Sequence, residues 1–562
     1  MLPPPELRGI YRTDTKARAA YAEGAGIYRI LPEAISLPAD VDDLTRLILW
    51  AAQHGVTLVP RGAGSAMGGG NVGEGVVVDL TRMSDRRLDV DPRTRRAVTS
   101  SSVTLGELNA AAARHGLRLP PDPSSGRWAT LGGMVSTNAA GAKSVRYGSV
   151  RPWVESLTMV TADGEAVKLA RGAAGQRGSA HALALDRFAR EAAPAIQSAR
   201  ALIAARFPKT RKNSSGYALD AYLASGDVLD LIIGAEGTLG IVSEIEWRLD
   251  YIPPFRAGLR VHLASLDRLS DAVSALNQCE PSALELLDRT FLDLIGPGTW
   301  GGVSDGFVPE AILLVELERS DPEALRQVLA GASEAIQRWA TSIETAYSPP
   351  EAEQLWAIRH AASPILAGLP EHRRSLQVIE DACVPVDRMG EYIAAVRRLA
   401  AKRGLSVVMF GHAGDGHIHV NLLPELARPG WEAEVAGLLD DVTEVVIRLG
   451  GTPSGEHGDG RLRSGAMLPL YGAEIVELFH QVKRAFDPIR IFNPGIILPS
   501  PEGPHAGEPP ISRLKVGSSA APIPADVQRA LREIELSGGY SRCRLELAAE
   551  SGVGSRESRV GS

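Results

Sequence analysis

The stretch Arg61 to Gly75 reads RGAGSAMGGGNVGEG and sits between two short β-like runs, VTLVP and VVVDL. No helix crosses such a stretch readily, because each interior glycine costs about 1 kcal/mol relative to alanine. A Rossmann unit needs that helix, with Asp79 then placed to hold a ribose, and the spacing Gly62-x-Gly64-x-x-x-Gly68 is also off by one. Successive backbone N–H groups in a glycine loop can still form an anion-binding concavity. Two more such loops follow, at 130–141 within PPDPSSGRWATLGGMVSTNAAGAKSVRYGS and at 234–240, GAEGTLG. Three loops within one predicted domain point to a large dinucleotide.

With 562 residues the chain needs more than one core. The spacing of Leu44, Leu47, Ile48 and Ala51 predicts a helix stopped by Gly55. VESLTMVTADGEAVKL predicts a hairpin about Asp163-Gly164, a helical stretch is expected near 183–206, and Pro253-Pro254 marks a boundary. Beyond it, 311–318, 406–410 and 417–423 read as strands and 323–340 as an amphipathic helix, an α+β pattern. The expected organisation is an N-terminal extension (1–34), a cofactor domain (35–252), a substrate or cap domain with an antiparallel sheet (253–499), and a C-terminal piece (500–562). That last piece reads as a Pro/Gly-rich linker, a short helix and, over SGVGSRESRVGS, a disordered tail.

Sixty basic and 67 acidic residues give a net charge of −7, which argues against a sequence-independent grip on nucleic acid. Cys279, Cys383 and Cys543 are too scattered for a disulfide framework or a Cys-x-x-Cys site. The N-terminus lacks a signal peptide's apolar core and no run approaches the roughly 20 apolar residues of a membrane span. A cytoplasmic protein is expected.

Three of the chain's twelve histidines fall in FGHAGDGHIHVNLLP, from Phe410. Read as a hairpin, it puts His417, His419 and Asn421 on one face, with His412 brought near by the turn. SGEHGDG adds Glu456 and His457 between glycines that permit close approach. Two imidazoles and a carboxylate suit Zn²⁺ or Mn²⁺.

Together these segments resemble the FAD-linked D-2-hydroxyacid dehydrogenase and oxidase branch of the vanillyl-alcohol-oxidase type flavoproteins. PRGAGSAMGGG, ATLGGMVSTNAAGAKSVRYG and GAEGTLGIVSE look like the FAD-contacting segments of its PCMH-type domain, itself two α+β subdomains. GHAGDGHIHVN, SGEHGDG and FDPIRIFNPG look like its C-terminal domain. The branch includes D-lactate, glycolate and D-2-hydroxyglutarate dehydrogenases.

The resemblance implies FAD contacts at Arg61, Gly62, Gly64, Ser65, Pro123, Thr130, Gly132, Gly133, Ser136, Asn138, Gly141, Gly237, Thr238, Ile241, Val242 and Asn493. Ser65 stands where some relatives attach flavin through a histidine, so the FAD is expected to be non-covalent. It further implies a divalent metal on His412, His419 and Glu456, and His457, neutral near pH 7, as the base. Arg359 is expected to hold the substrate carboxylate, with Asn421 among the substrate contacts. His417 stands where the family usually has asparagine, and Ile379 or Glu380 where the hydroxyglutarate enzymes have lysine, which leaves the distal specificity open.

The implied reaction oxidises a D-2-hydroxy acid to the 2-keto acid by hydride transfer to flavin N5. Electrons would leave to a separate quinone, cytochrome or iron–sulfur protein, with peripheral membrane attachment through that acceptor and a homodimer both left open. Two rival readings are a flavin-carrying electron-transfer subunit and a metal-dependent hydrolase; the latter leaves the glycine loops unexplained.

Overall fold

The computed structural model describes residues 4–172, 182–296, 308–500, 507–540 and 542–549. VVVD, buried at all four positions, forms the strand Val76–Asp79 inside a four-stranded sheet. Ala34–Leu37 and Leu58–Arg61 flank it in parallel, and Ile10–Arg12 pairs antiparallel to Ala34–Leu37. A strand covered on both faces is apolar throughout, which is why this one does not alternate. The predicted helix is Val41–His54: the Asp40 side chain accepts from the Asp43 N–H at its start, and Gly55, at φ 66°, ends it.

The second sheet runs Leu88–Asp91, Arg96–Ser100, Ile241–Arg248, Val154–Val160, Ala166–Ala170, antiparallel throughout. Its last two strands are the expected hairpin, with Gly164 at φ 76° in the turn. The helix Leu131–Thr137 packs on this sheet; Thr130 caps it by accepting from the Gly133 N–H, and Asn138 closes it at φ 51°. The stretch expected to be helical near 183–206 is interrupted by a π turn at Phe188–Ala192, and Pro194 sits in the first turn of Ala193–Ser198. Proline lacks the N–H that a continuous ladder needs.

Past Pro253-Pro254 lies a seven-stranded antiparallel sheet, ordered Ala340–Ala346, Phe255–Leu263, Ala311–Arg319, Ala283–Asp288, Ser406–His412, His417–Leu423, Ala382–Cys383. One core joins it to the helices Leu269–Asn277, Pro322–Ile336, Met389–Lys402 and Trp431–Arg448; a smaller core holds Arg289–Ile295 and Pro349–His360. The helix expected to reach residue 340 stops at Ile336, because Ala340 already pairs with Leu263 at the sheet edge.

The segments expected to be a terminal extension and a linker meet in one core. Ala17, Tyr21, Val527, Leu531, Ile534 and Leu547 pack with Ile35, Val59 and Val77 of the first sheet. The expected disordered tail, 551–562, lies outside the described residues. Among the described residues no helix is long and apolar enough to cross a membrane.

Candidate functional site

The hairpin forms as its alternation requires: His412 pairs with His417, Phe410 with His419 and Val408 with Asn421. Gly416 turns it at φ 75°, where a Cβ would lie 2.0 Å from the Val384 carbonyl oxygen. The sheet delivers His412 and His419, and the loop after Trp431–Arg448 brings Glu456 up to them. His412 Nε2 lies 3.1 Å from Glu456 Oε1 and 3.3 Å from His419 Nε2, and His419 Nε2 lies 3.8 Å from Glu456 Oε1.

Each imidazole is held from behind. His412 Nδ1 meets Glu285 Oε1 at 2.5 Å, and His419 Nδ1 meets the Glu380 carbonyl oxygen at 2.7 Å. A carbonyl and a carboxylate only accept, so both Nδ1 atoms carry the hydrogens and two Nε2 lone pairs are left facing each other. That is stable only with positive charge between or on them, a proton or a metal ion. The residues therefore fit a metal: a tetrahedral ion with bonds of about 2.0–2.2 Å sets ligand atoms a little over 3 Å apart, and acceptors behind ligating histidines are the usual support.

The electrostatics agree. Burial opposes charge on His412, but Glu285 and Glu456 push its pKa up to about 8. His419, buried and beside His417 and His412, is held well below the ordinary histidine value. Glu456 is held well below the carboxylate range despite burial, by Lys212 and His412.

Lys212 is the central residue that the sequence did not single out. Its ammonium is buried, 2.8 Å from Glu456 Oε2, 3.7 Å from Asp415 and 3.3 Å from His417 Nδ1. It thus turns Glu456 Oε1 toward the histidines. His417, whose role was open, stands beside the pair: its Nδ1 lies 3.9 Å from Glu456 Oε1, so its ring belongs to the same group of potential ligands, and its Nε2 lies 3.0 Å from Asp381 in poor hydrogen-bond alignment.

His457 stacks on His419, with ring centroids 5.5 Å apart, and is the most exposed of the four rings at 29%. Its Nδ1 meets Glu380 Oε2 at 2.5 Å, and Glu380 is anchored in turn by Arg463 at 2.5 Å. Burial favours the neutral His457 ring, but Glu380 and Asp381 push its pKa up to about 10.

Arg359 reaches the site from the helix Pro349–His360. Its Nε donates to Glu285 Oε2 at 2.7 Å and its guanidinium lies 4.7 Å over the Phe410 ring. Glu285 thus ties the arginine to His412. Asn421 Oδ1 accepts from Ser375 Oγ at 3.2 Å.

These groups open onto one cavity of ≈ 910 Å³, which Arg359, His412, His419, Asn421, Glu456 and His457 line together with the glycine loops. The size is at the upper end for small-molecule and cofactor pockets, roughly 300–1,000 Å³. Arg61, Gly62, Gly64 and Ser65 line it from the first loop, Pro123, Thr130, Gly132, Gly133 and Ser136 from the second, and Gly237, Ile241 and Val242 from the third. Close approach is why glycine stands at 62, where a Cβ would lie 2.1 Å from Thr130 Oγ1.

Four expected cofactor contacts do not line the cavity but brace its loops. Asn138 ends a helix, and the Gly141 carbonyl accepts from Ser144 Oγ at 2.6 Å. The Thr238 hydroxyl is 2.8 Å from Tyr217 Oη, and Asn493 Nδ2 donates to the Gly70 and Glu236 carbonyls at 2.8 and 2.9 Å. Arg61 also braces: its guanidinium donates to the carbonyls of Glu23, Asn71 and Tyr21 at 2.8, 3.2 and 3.3 Å.

Residues 32–170 match the family model described as FAD binding domain, and 252–497 that described as FAD linked oxidases, C-terminal domain. The chain is 30% identical to a D-lactate dehydrogenase of Archaeoglobus fulgidus, over 82% of this chain and 90% of the relative. It is 32% identical to a D-2-hydroxyglutarate dehydrogenase of Pseudomonas putida over 90% of this chain, and spans about half, 52%, of that relative's length. It is 28% identical to glycolate oxidase subunit GlcD of Bacillus subtilis, over 83% and 89% of the two chains. Among solved structures, p-cresol methylhydroxylase superposes with a TM-score of 0.63 at 14% identity, covering 87% of this chain and 93% of that one. 4-Ethylphenol oxidase from Gulosibacter chungangensis gives 0.63 at 14%, covering 88% and 94%. At such identities the likeness concerns the fold, which is that of the vanillyl-alcohol-oxidase type flavoproteins.

Proposed function

The chain belongs to the family of FAD-linked D-2-hydroxyacid dehydrogenases and oxidases, and from that premise we propose that it oxidises a D-2-hydroxy acid of the lactate, glycolate or 2-hydroxyglutarate kind to the 2-keto acid. The observation that carries this reading is the convergence of His412 Nε2, His419 Nε2 and Glu456 Oε1 on the wall of the cavity that the glycine loops build. Bound FAD supplies the two-electron acceptor, and a divalent cation, zinc or manganese, supplies Lewis acidity toward the substrate hydroxyl.

The chain's own residues do the rest. The loops hold the FAD non-covalently through backbone N–H groups. His412, His419 and Glu456 hold the cation, with Glu285, the Glu380 carbonyl and Lys212 fixing their orientation. Arg359, itself held by Glu285, pairs with the substrate carboxylate, so that C2 is fixed in the cavity. His457 accepts the hydroxyl proton. For that it must be neutral in the working complex, and a dication on the neighbouring ligands favours the neutral ring, against the push from Glu380 and Asp381.

The Bacillus relative is a named subunit, which favours a second component that takes the electrons, by way of an iron–sulfur protein, a quinone or a cytochrome.

Acid precipitation of the purified protein should release about one FAD per chain. Metal analysis should find a divalent ion in the wild type and its loss, with FAD retained, in His419→Ala. A colourless protein that takes up no FAD sinks the proposal; equal metal content in the two proteins removes the metal from it.

A further inference from the structure

The main cavity has a side chamber of ≈ 420 Å³, and Gly62, Ala63, Thr130, Trp128 and Tyr540 line both. Arg82, Arg86, Arg542 and Arg544 also line the chamber. Residues 542–549 lie outside both family matches, which end at 497. They are brought here by the core that Leu547 shares with Ala17, Tyr21 and Val77.

Most charges of the chamber are already satisfied. Arg86 pairs with Glu107, which also closes the capping box with Thr104, and Arg82 lies 3.3 Å from Glu546. Asp79 accepts from Tyr21 Oη at 2.5 Å, from Thr81 Oγ1 at 2.6 Å and from the Thr81 N–H at 2.9 Å. Arg544 differs. The residue is only 4% exposed, and its Nε and Nη1 have no hydrogen-bond partner among the described residues. It makes no ion pair there either, and its guanidinium carbon lies 5.6 Å from the centre of the Tyr540 ring.

A buried guanidinium without an acceptor is unfavourable unless something fills the place. Burial and the nearby Arg61 charge pull the Arg544 pKa down to about 10, against a weaker upward pull from Tyr540, Tyr21 and Glu23. The missing group must be anionic, must present oxygen acceptors to two N–H groups, and must reach the chamber from beside Gly62 and Ala63. A phosphoryl group meets all three requirements.

We infer that Arg544, carried in by the C-terminal segment, completes the cofactor site by binding a phosphoryl group of the FAD diphosphate. The inference rests on the reading of the main cavity as an FAD site. It makes the segment beyond residue 497 part of the cofactor cradle.

The test uses the full chain, stripped of flavin and titrated with FAD and with riboflavin, which lacks phosphate, in wild type, Arg544→Met and Arg544→Lys. The Met variant should bind FAD about 10- to 100-fold more weakly, the worth of a charge-assisted contact of about 1.5–3 kcal/mol, and the Lys variant should recover part of the loss. Riboflavin affinity should not change. The flavin-free Met variant should unfold at the wild-type temperature or above, since the guanidinium has no hydrogen bond there to lose. Inorganic phosphate should compete with FAD in wild type and lose that effect in the Met variant.

Unchanged FAD affinity in Arg544→Met overturns the inference, and so does equal weakening of FAD and riboflavin, which would make Arg544 a wall residue. Phosphate that binds without opposing FAD assigns the chamber to a free anion instead. A wild-type chain that takes up no FAD at all overturns the FAD reading and this inference with it.

Discussion

Glu285 is the residue on which the two halves of the site depend, and replacing it with glutamine tests that dependence. It has no exposed surface and accepts two bonds, from Arg359 Nε at 2.7 Å on one oxygen and from His412 Nδ1 at 2.5 Å on the other. His412 and Arg359 together hold its pKa far below the carboxylate range in spite of burial. Glutamine presents one oxygen and one NH₂ to the same two donors, so one donor must face another. With Arg359 only 12% exposed, losing the counter-charge is the breaking of a buried pair, about 3–5 kcal/mol of stability. Even if the amide oxygen turns to His412, a neutral amide leaves that imidazole a weaker base than a carboxylate does. Metal affinity should therefore fall about 10- to 100-fold, as when other supports behind ligating histidines are removed. Urea unfolding and a competitive metal titration on the same preparations, with FAD content followed, measure both effects. A variant with wild-type metal affinity and wild-type affinity for the hydroxy acid would refute the coupling.

His457→Ala should slow flavin reduction by roughly 10²–10⁴-fold with a smaller change in substrate affinity, whereas Arg359→Ala should weaken substrate binding along with any slower reduction; stopped-flow across substrate concentrations separates them. Glu236 is buried against the Asp459 and Gly460 N–H groups, and burial with Asp459 nearby pushes its pKa up to about 8. Its folded pKa is above the unfolded one, so its contribution is fully present below about pH 4.5 and is lost as pH rises through 8. Glu236→Gln should therefore gain stability relative to wild type between those limits, which denaturant titrations across pH can read. Gly62→Ala, whose Cβ would meet Thr130 Oγ1 at 2.1 Å, should displace that helix cap at a cost of about 1 kcal/mol and weaken FAD retention on dialysis.

The glycine loops and the histidine hairpin were legible in the sequence because local rules govern them: consecutive glycines forbid helix, and period-two alternation fixes which side chains of HIHVN share a face. Lys212 was not, since a lysine in the polar run TRKNSSGY carries no sign that Glu456, far along the chain, will bury it. Glu285, Glu380 and Asp381 left a fainter trace, as acids inside the apolar runs ALELLD and VIEDACV. The upward push on the His457 pKa comes from Glu380 and Asp381, which its own motif does not contain. Arg61 and Asn493 fall in the right motifs, and the folded chain also uses their side chains to tie neighbouring loops together, which no local rule foretells. The packing of the C-terminal segment was hidden because its apolar residues are sparse and find their core only in the N-terminal helix Thr15–Ala20 and the first sheet.

The central claim is that a D-2-hydroxy acid reduces an FAD held in the main cavity beside His412, His419, Glu456 and His457. Anaerobic mixing of the FAD-loaded protein with paired D- and L-2-hydroxy acids, followed by the flavin's visible absorbance, tests it most directly. Bleaching by a D-2-hydroxy acid and not by its L-enantiomer, abolished in His419→Ala that retains its FAD, is the predicted result. An FAD-loaded protein whose absorbance no 2-hydroxy acid changes, or whose His419→Ala form bleaches as the wild type does, would contradict it.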